Sequence, residues 1–350
     1  MIDPMPRQPA TIILRDDASG VGRAAEILRG GGLVAFPTET VYGLGAHALD
    51  ASAVRGIFAA KGRPADDPLI VHVASAADVS RVADLTPDAE RLAHRFWPGP
   101  LTLVLPKRPV VPAEVTAGLP TVAVRVPAHA TARALLEAAR LPIAAPSANL
   151  FSRPSPTRVE HVLEDLNGRI AAILAGGATL LGVESTIVDL TASRPRLLRP
   201  GGLAVELIEA VLGTQLDIHT ETRAGPQMAP GLMPTHYAPR TPLVMLLGEP
   251  ARARARLQHE VELAVASGQR VGVLLLEDDR SLFDSAIDVA HLGRWDDPEA
   301  SAVLLFDALR TLDRARLDVL FARQLADDHT GIGRALADRL RRAAARVINA

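Results

Sequence analysis

Between residues 11 and 213 the chain alternates short apolar runs with longer amphipathic stretches. Strands bury every second side chain and helices every third or fourth, so this rhythm predicts an α/β domain. Leu33–Phe36 is an apolar strand broken by Pro37. Val54, Ile57 and Phe58 lie at helical spacing ahead of Lys61, and Gly62 fits a helix stop. Pro68–Ala74 reads as a strand with Leu69, Val71 and Val73 on one face and Ile70 and His72 on the other. Leu101–Pro106 and Thr121–Pro127 read as further strands, and Leu141–Asn149 as a buried strand ending in a polar turn. Thr157 and Glu160 have the spacing of a capping box. The strands of Gly182–Leu190 and Pro195–Gly202 close the domain.

Residues 214–242 break the pattern, with five prolines and no apolar period, and read as a linker. From Leu243 to Ala350 the rhythm resumes: a strand, a long Arg/Ala helix, two strands, a helix, a strand and an Arg-rich helix. This predicts a second, smaller, Rossmann-like α/β domain. The first ten residues lack the charged start and apolar core of a signal peptide. The longest apolar stretch, Ile170–Val183, is too short for a bilayer and is interrupted by glycines.

Composition narrows the chemistry. Of 350 residues, 48% are apolar and only 3% aromatic, so the cores are built from Ala, Leu and Val. There is no cysteine, which removes disulfides, thiolate nucleophiles and Cys–zinc sites and suits a reducing cytoplasm. Net charge is −2, and residues 1–213 carry 21 basic against 21 acidic side chains. No basic surface for direct tRNA binding is marked. Only Lys61 and Lys107 among 38 basic residues are lysines.

No P-loop and no HExxH motif occurs. Gly43–Ala48 matches G-x-G-x-x-A, but the strand before it ends at Phe36, too far away for a tight dinucleotide turn. Ten scattered histidines do not suggest a metal site. Lys61 and Arg63 flank a helix end, where cations are favoured anyway, or could grip a polyphosphate. His72 interrupts an apolar strand, either as a satisfied core residue or as a site residue. Thr121 and Arg125 share one strand face, roughly 13 Å apart. Arg125 stands among valines and needs a counter-charge, from a protein carboxylate or an anionic ligand. Ser147 and Asn149 end a strand, a usual place for ligand contacts in α/β sheets. Glu184, Ser185 and Thr186 form either a buried polar network or part of a site.

Six segments, GGLVAFPTETVYGLG, KGRP…PLIVH, AVRVP, PSAN…RPSPT, GVESTIVDL and RPG, together resemble the YrdC-like threonylcarbamoyl-AMP synthase family. The linker's HYAP and the second domain resemble its long, two-domain form. The resemblance implies a YrdC-like domain (11–213) with a twisted mixed sheet, a linker or lid (214–242), and a C-terminal α/β domain (243–350). It implies synthesis of threonylcarbamoyl-AMP and pyrophosphate from L-threonine, bicarbonate or CO₂, and ATP with Mg²⁺. A tRNA-threonylcarbamoyl transferase complex would use the product on ANN-decoding tRNAs. Thr38, Thr40, His72, Arg125 and Ser185 would then hold threonine. Lys61 and Arg63 would be catalytic and meet the triphosphate. Asp67, Thr121, Ala145, Ser147, Asn149, Ser155, Arg199, His236 and Tyr237 would complete the ATP side, without a protein metal cage. Asp67 departs from the family's usual Asn, Phe151-Ser152 from Ser-Gly, and Pro234 stands where the linker motif has lost its basic residue. Two other readings are a carbamoyltransferase of hydrogenase-maturation type, disfavoured by the missing Cys-based zinc fingers, and a non-catalytic RNA-binding module, disfavoured by the balanced charge.

Overall fold

The computed structural model describes residues 10–218, 227–233, 235–283, 287–327 and 329–350. Eleven strands form one sheet. In spatial order they are Ile12–Leu14, Ala172–Leu174, Val34–Phe36, Gly43–His47, Ile143–Ala144, Ile70–His72, Thr121–Arg125, Leu101–Pro106, Thr186–Asp189, Arg196–Arg199 and Asp217–Ile218. The sheet is mixed. Ile70–His72 runs parallel to Thr121–Arg125, with His72 paired to Arg125, and antiparallel to Ile143–Ala144.

Local chemistry sets the elements. The Asp50 carboxylate caps helix Ala51–Lys61 by accepting from the Ser52 and Ala53 amides at 2.8 and 3.2 Å. Gly62 ends that helix in the left-handed region at φ 64°. One side of the sheet buries Leu44, Val54, Ile57, Val71, Leu103 and Val124; the other buries Val34, Phe36, Leu135 and Ile143. Each such side chain contributes about 1.5–3 kcal/mol on burial.

The second sheet is wholly parallel, in the order Asp288–His291, Val271–Leu275, Val319–Arg323, Leu243–Leu247 and Arg346–Asn349. Helices Pro298–Arg314 and Gly331–Ala343 pack on one face and Pro250–Ala266 on the other. That is the doubly wound arrangement expected of its sequence. No described helix is long and apolar enough to cross a membrane.

Several expectations need correction. Thr157 and Glu160 do not form a capping box. The helix starts at Val159 after Arg158, with no side-chain cap. The Thr157 amide instead donates to His161 Nδ1 at 3.2 Å, because His161 Nε2 is drawn to Asp307 Oδ1 of the second domain at 3.0 Å. Glu184 and Ser185 precede their strand rather than lying inside it. Only Ile143–Ala144 of the Leu141–Asn149 run pairs as strand, and the strands Gly43–His47 and Arg346–Asn349 were not anticipated.

The linker is not a solvated tether where it is described. Ala229 and Leu232 bury against Ile70, Val104, Ala123, Ile187 and Leu198. Tyr237 joins Val41 and Val183 in the apolar core of the second domain, beside Phe306 and Leu309. The first ten residues' signal-peptide reading falls almost wholly outside the described residues, as do Pro234 and the linker stretch 219–226. The domains meet tightly: a Cβ on Gly182, at φ 71°, would lie 2.2 Å from the Ala302 carbonyl oxygen. Only glycine satisfies both that backbone angle and that approach.

Candidate functional site

Strand ends converge on one partly open pocket. The turn after Val34–Phe36 brings Thr38 and Thr40; the ends of Ile70–His72, Thr121–Arg125 and Arg196–Arg199 bring His72, Arg125 and Arg199. The turn after Ile143–Ala144 adds Ala145 and Ser147, and the approach to Thr186–Asp189 adds Glu184 and Ser185. Arg63 comes from the loop after helix Ala51–Lys61. Pro230, Gly231, His236 and Tyr237 cover the pocket, leaving a cavity of about 50 Å³.

The Thr38–Tyr42 turn is held by a directed chain of hydrogen bonds. Arg125 Nη1 donates to Thr40 Oγ1 at 3.0 Å. The two threonine hydroxyls are 2.7 Å apart, and Thr38 Oγ1 donates to the Val41 carbonyl at 2.6 Å. Arginine is only a donor and Val41 O only an acceptor, so Thr40 donates to Thr38. Tyr42 anchors the turn from outside: its hydroxyl donates to Gly177 O at 2.7 Å and accepts from the Gly176 amide at 3.3 Å. Burial pushes Tyr42 up to about 12, which keeps that donor protonated.

Three guanidiniums reach the cavity. Arg125 Nε donates to Gly99 O at 3.2 Å, and Nη2 lies 2.6 Å from Glu39 Oε1. The protein thus supplies Arg125 with a carboxylate, one of the two partners its sequence demanded. Arg63 pairs with Asp67 at 2.9 Å and donates to Pro68 O at 2.8 Å. Among the described residues, Arg199 donates to the Ser185 carbonyl and hydroxyl and to the Pro230 carbonyl. Burial, and then the charge of Arg125, press His72 down to about 3, so it is neutral at physiological pH. Burial and then the neighbouring cations Arg63 and Lys61 hold His236 well below its ordinary value. Burial alone would raise Glu184, but Arg339, Arg199 and a hydrogen bond from Ser155 outweigh it and hold the carboxyl down.

Buried polar atoms without a well-aligned hydrogen-bond partner among the described residues occur here, on Asn149, His236, Tyr237, Arg125 and the ion-paired carboxylates of Glu39 and Asp67, and also away from the cavity, on Arg153, Asp165 and Arg310. Native proteins leave few such groups, and His236 Nδ1 and Tyr237 Oη belong to residues that line the cavity itself. Gly231, at φ 78°, lets the cover descend: a Cβ there would lie 2.7 Å from Tyr237 Oη and 3.0 Å from Arg199 Nη1.

Of the residues singled out in the sequence, Thr38, Thr40, Arg63, His72, Arg125, Ala145, Ser147, Ser185, Arg199, His236 and Tyr237 line the cavity. Lys61, Asp67, Asn149 and Ser155 stand one layer behind. Lys61 Nζ donates to the carbonyls of Ser147 and Asn149 at 2.5 and 2.6 Å, so its ammonium staples the Ser147 turn. Asn149 Nδ2 donates to Leu150 O and Arg153 O, and Ser155 Oγ donates to Glu184 Oε1 at 2.5 Å. Thr121 lies at the other end of Arg125's strand and does not line the cavity. Sequence reasoning left Glu184 undecided and missed Arg339, whose Nε lies 2.6 Å from Glu184 Oε2. A signal existed: Arg339 falls on the apolar stripe of its helix with Ala335, Leu336 and Ala343.

Two family models divide the chain. One, described as telomere recombination and labelled Sua5, YciO and YrdC, matches residues 26–201. The other, described as the threonylcarbamoyl-AMP synthase C-terminal domain, matches residues 203–345. The threonylcarbamoyl-AMP synthase of Bacillus subtilis is 48% identical, over 93% of this chain and 92% of its own length. That of Pyrococcus abyssi is also 48% identical, over 91% and 92%. The crystal structure of P. abyssi Sua5 complexed with L-threonine superposes with a TM-score of 0.90 at 46% identity, over 97% of this chain and 99% of that one. The chain belongs to the threonylcarbamoyl-AMP synthase family.

Proposed function

We propose that this chain is an L-threonylcarbamoyladenylate synthase, a nucleotidyltransferase that joins L-threonine, CO₂ or bicarbonate, and ATP. The observation that carries this reading is the convergence of Arg63, Arg125 and Arg199 on one cavity, among the hydroxyls of Thr38, Thr40, Ser147 and Ser185. Two anionic partners, an amino-acid carboxylate and a polyphosphate, would use that charge at opposite ends. Arg125, fixed by Thr40 and Glu39, suits the threonine carboxylate. Arg63 and Arg199 suit the phosphates.

The chemistry follows. Threonine's amine adds to CO₂ and loses a proton, giving a carbamate. A carbamate oxygen forms a bond to the α-phosphorus while the bond from that phosphorus to the bridging oxygen breaks, and pyrophosphate leaves. The chain's part is to align the two reactants and stabilise charge with donors already in place. Neutral His72 offers a hydrogen bond without adding charge beside Arg125. Mg²⁺ would arrive with ATP as part of the substrate; among the described residues no group of three His, Asp or Glu could hold a metal, so phosphates and water would supply most of its ligands.

A drug-sized ligand needs roughly 300–1,000 Å³, so the cover of Pro230, Gly231, His236 and Tyr237 must lift to admit ATP and can then shut water out. The product would pass, in the cytoplasm, to a transferase system that acylates tRNA. The test is mass spectrometry of the product from ATP, L-threonine and bicarbonate, with pyrophosphate release measured beside it. The expected result is a threonylcarbamoyl-AMP ion and pyrophosphate release dependent on all three substrates. Absence of both overturns the reading, and turnover of carbamoyl phosphate instead would favour the carbamoyltransferase.

A further inference from the structure

We infer that Arg339, in the second domain, is a positioning residue of the active site: it fixes Glu184, and through Glu184 and Tyr237 it ties the cavity wall to its cover. The inference rests on the proposed function and assigns the second domain a part in the reaction.

Arg339 is fully buried, and every arm of its guanidinium is used. Nε lies 2.6 Å from Glu184 Oε2, Nη2 donates to Pro200 O at 3.0 Å, and Nη1 donates to Asp338 Oδ2 at 2.5 Å. Its Cζ sits 5.0 Å from the centre of the Tyr237 ring. Glu184 lines the cavity and turns its other oxygen to Ser155 Oγ at 2.5 Å. One cation of the second domain therefore touches the wall residue, the turn after Arg199 and the aromatic ring of the cover. Arg310 is the internal control. It too is a fully buried arginine of the second domain, but its partners Asp165, Glu164 and Pro154 O do not line the cavity.

The test uses the full chain. Product formation and thermal unfolding are measured for the wild type, Arg339→Lys, Arg310→Lys and Asp338→Asn. Lysine keeps the charge but loses the fork that spans Glu184, Pro200 and Asp338. For Arg339→Lys, kcat/KM for ATP should fall about tenfold or more while the threonine KM moves less than about threefold. Arg310→Lys should lose comparable stability yet stay within about twofold of wild-type kcat/KM. Wild-type kinetics in Arg339→Lys, or equal losses in both arginine variants, would make Arg339 a plain interface residue and overturn the inference. Should Arg339→Lys not fold, Asp338→Asn decides. It loosens Arg339 from the outer side, and a drop of about threefold in kcat/KM for ATP supports the inference, whereas no change overturns it. A wild type that makes no product sinks the proposed function and this inference together; a productive wild type with an unaffected Arg339→Lys sinks the inference alone.

Discussion

Two regions of this molecule bury arginine, and they do it differently. At the domain interface, Arg310 meets Asp165 at 2.6 Å and Glu164 at 3.2 Å, and Arg339 meets Glu184 and Asp338. Each charge there is matched by carboxylates. At the cavity, among the described residues, Arg199 donates to carbonyls and a hydroxyl, and the carboxylates beside Arg63 and Arg125 accept no well-aligned hydrogen bond. Both regions keep atoms without a well-aligned partner, Arg310 Nε and Asp165 Oδ1 at the interface and Arg125 Nη2 at the cavity; what separates them is that Arg63, Arg125 and Arg199 line the cavity and Arg310 and Arg339 do not. Burial alone does not separate the two, since all five are nearly inaccessible.

The comparison can be broken most directly at Arg310. Arg310→Ala strands Asp165, and stability should fall by about 3–5 kcal/mol. The remaining folded protein should keep its specific activity. Urea unfolding with activity per folded molecule checks this, and a loss of turnover beyond the folded fraction would erase the distinction. Arg125→Ala strands Glu39 and should cost stability too, but here activity per folded molecule should fall as well. Removing two charge-assisted bonds worth about 1.5–3 kcal/mol each should lower kcat/KM for threonine about a hundredfold or more, with ATP affected less. A rise in the ATP requirement alone would move Arg125 to the other substrate.

Lys61 sharpens the contrast, because among the described residues its buried ammonium donates to carbonyls and yet does not line the cavity. An arginine fork is too broad for the space between Ser147 O and Asn149 O. Lys61→Arg should slow adenylation about tenfold, ~1.4 kcal/mol in the barrier, with the fold intact. Lys107, which donates to Thr116 Oγ1 and Val111 O at the half-exposed end of a strand, should accept arginine without consequence. Equal activity of the two variants would return Lys61 to a purely structural part.

A further effect is a pH dependence at the interface. Burial, and then Arg310's charge, push His161 down to about 4 against the opposing pull of Asp307. The folded state therefore binds fewer protons than the unfolded chain between about pH 6.5 and 4. The stability that neutral His161 contributes is complete above that window and is lost as pH falls through it. His161→Gln should flatten unfolding free energy measured from pH 7 to 5. An unchanged slope would show that His161 is not the group responsible.

How much of this was legible in the sequence depends on the range of the forces involved. Helix Ala51–Lys61 and its Gly62 stop were readable because caps and periodicity are local. So were the strands around Val71, Val124 and Val188, where apolar side chains alternate. The capping box failed because a residue 146 positions away, Asp307, bids for His161. The linker showed no core pattern because Ala229 and Leu232 are too few to make a period, although the sheet buries both. Arg125 stood out as a cation in an apolar strand. Arg310 and Arg339 obey the same rule on helices, where Phe306, Leu309, Ala335 and Leu336 mark the apolar stripe. Among so many arginines neither was singled out.

The placement of Arg339 also has a consequence for biosynthesis. Helix Gly331–Ala343 follows every strand of the first sheet in the chain, so the ribosome makes it after them. Domains generally fold as they emerge, N-terminal parts first. The eleven-stranded sheet can therefore form while Glu184 and Asp165 still lack their arginines. The cavity wall is completed only when the second domain docks. A nascent or interrupted chain would carry Arg63 and Arg199 without Arg339 behind Glu184.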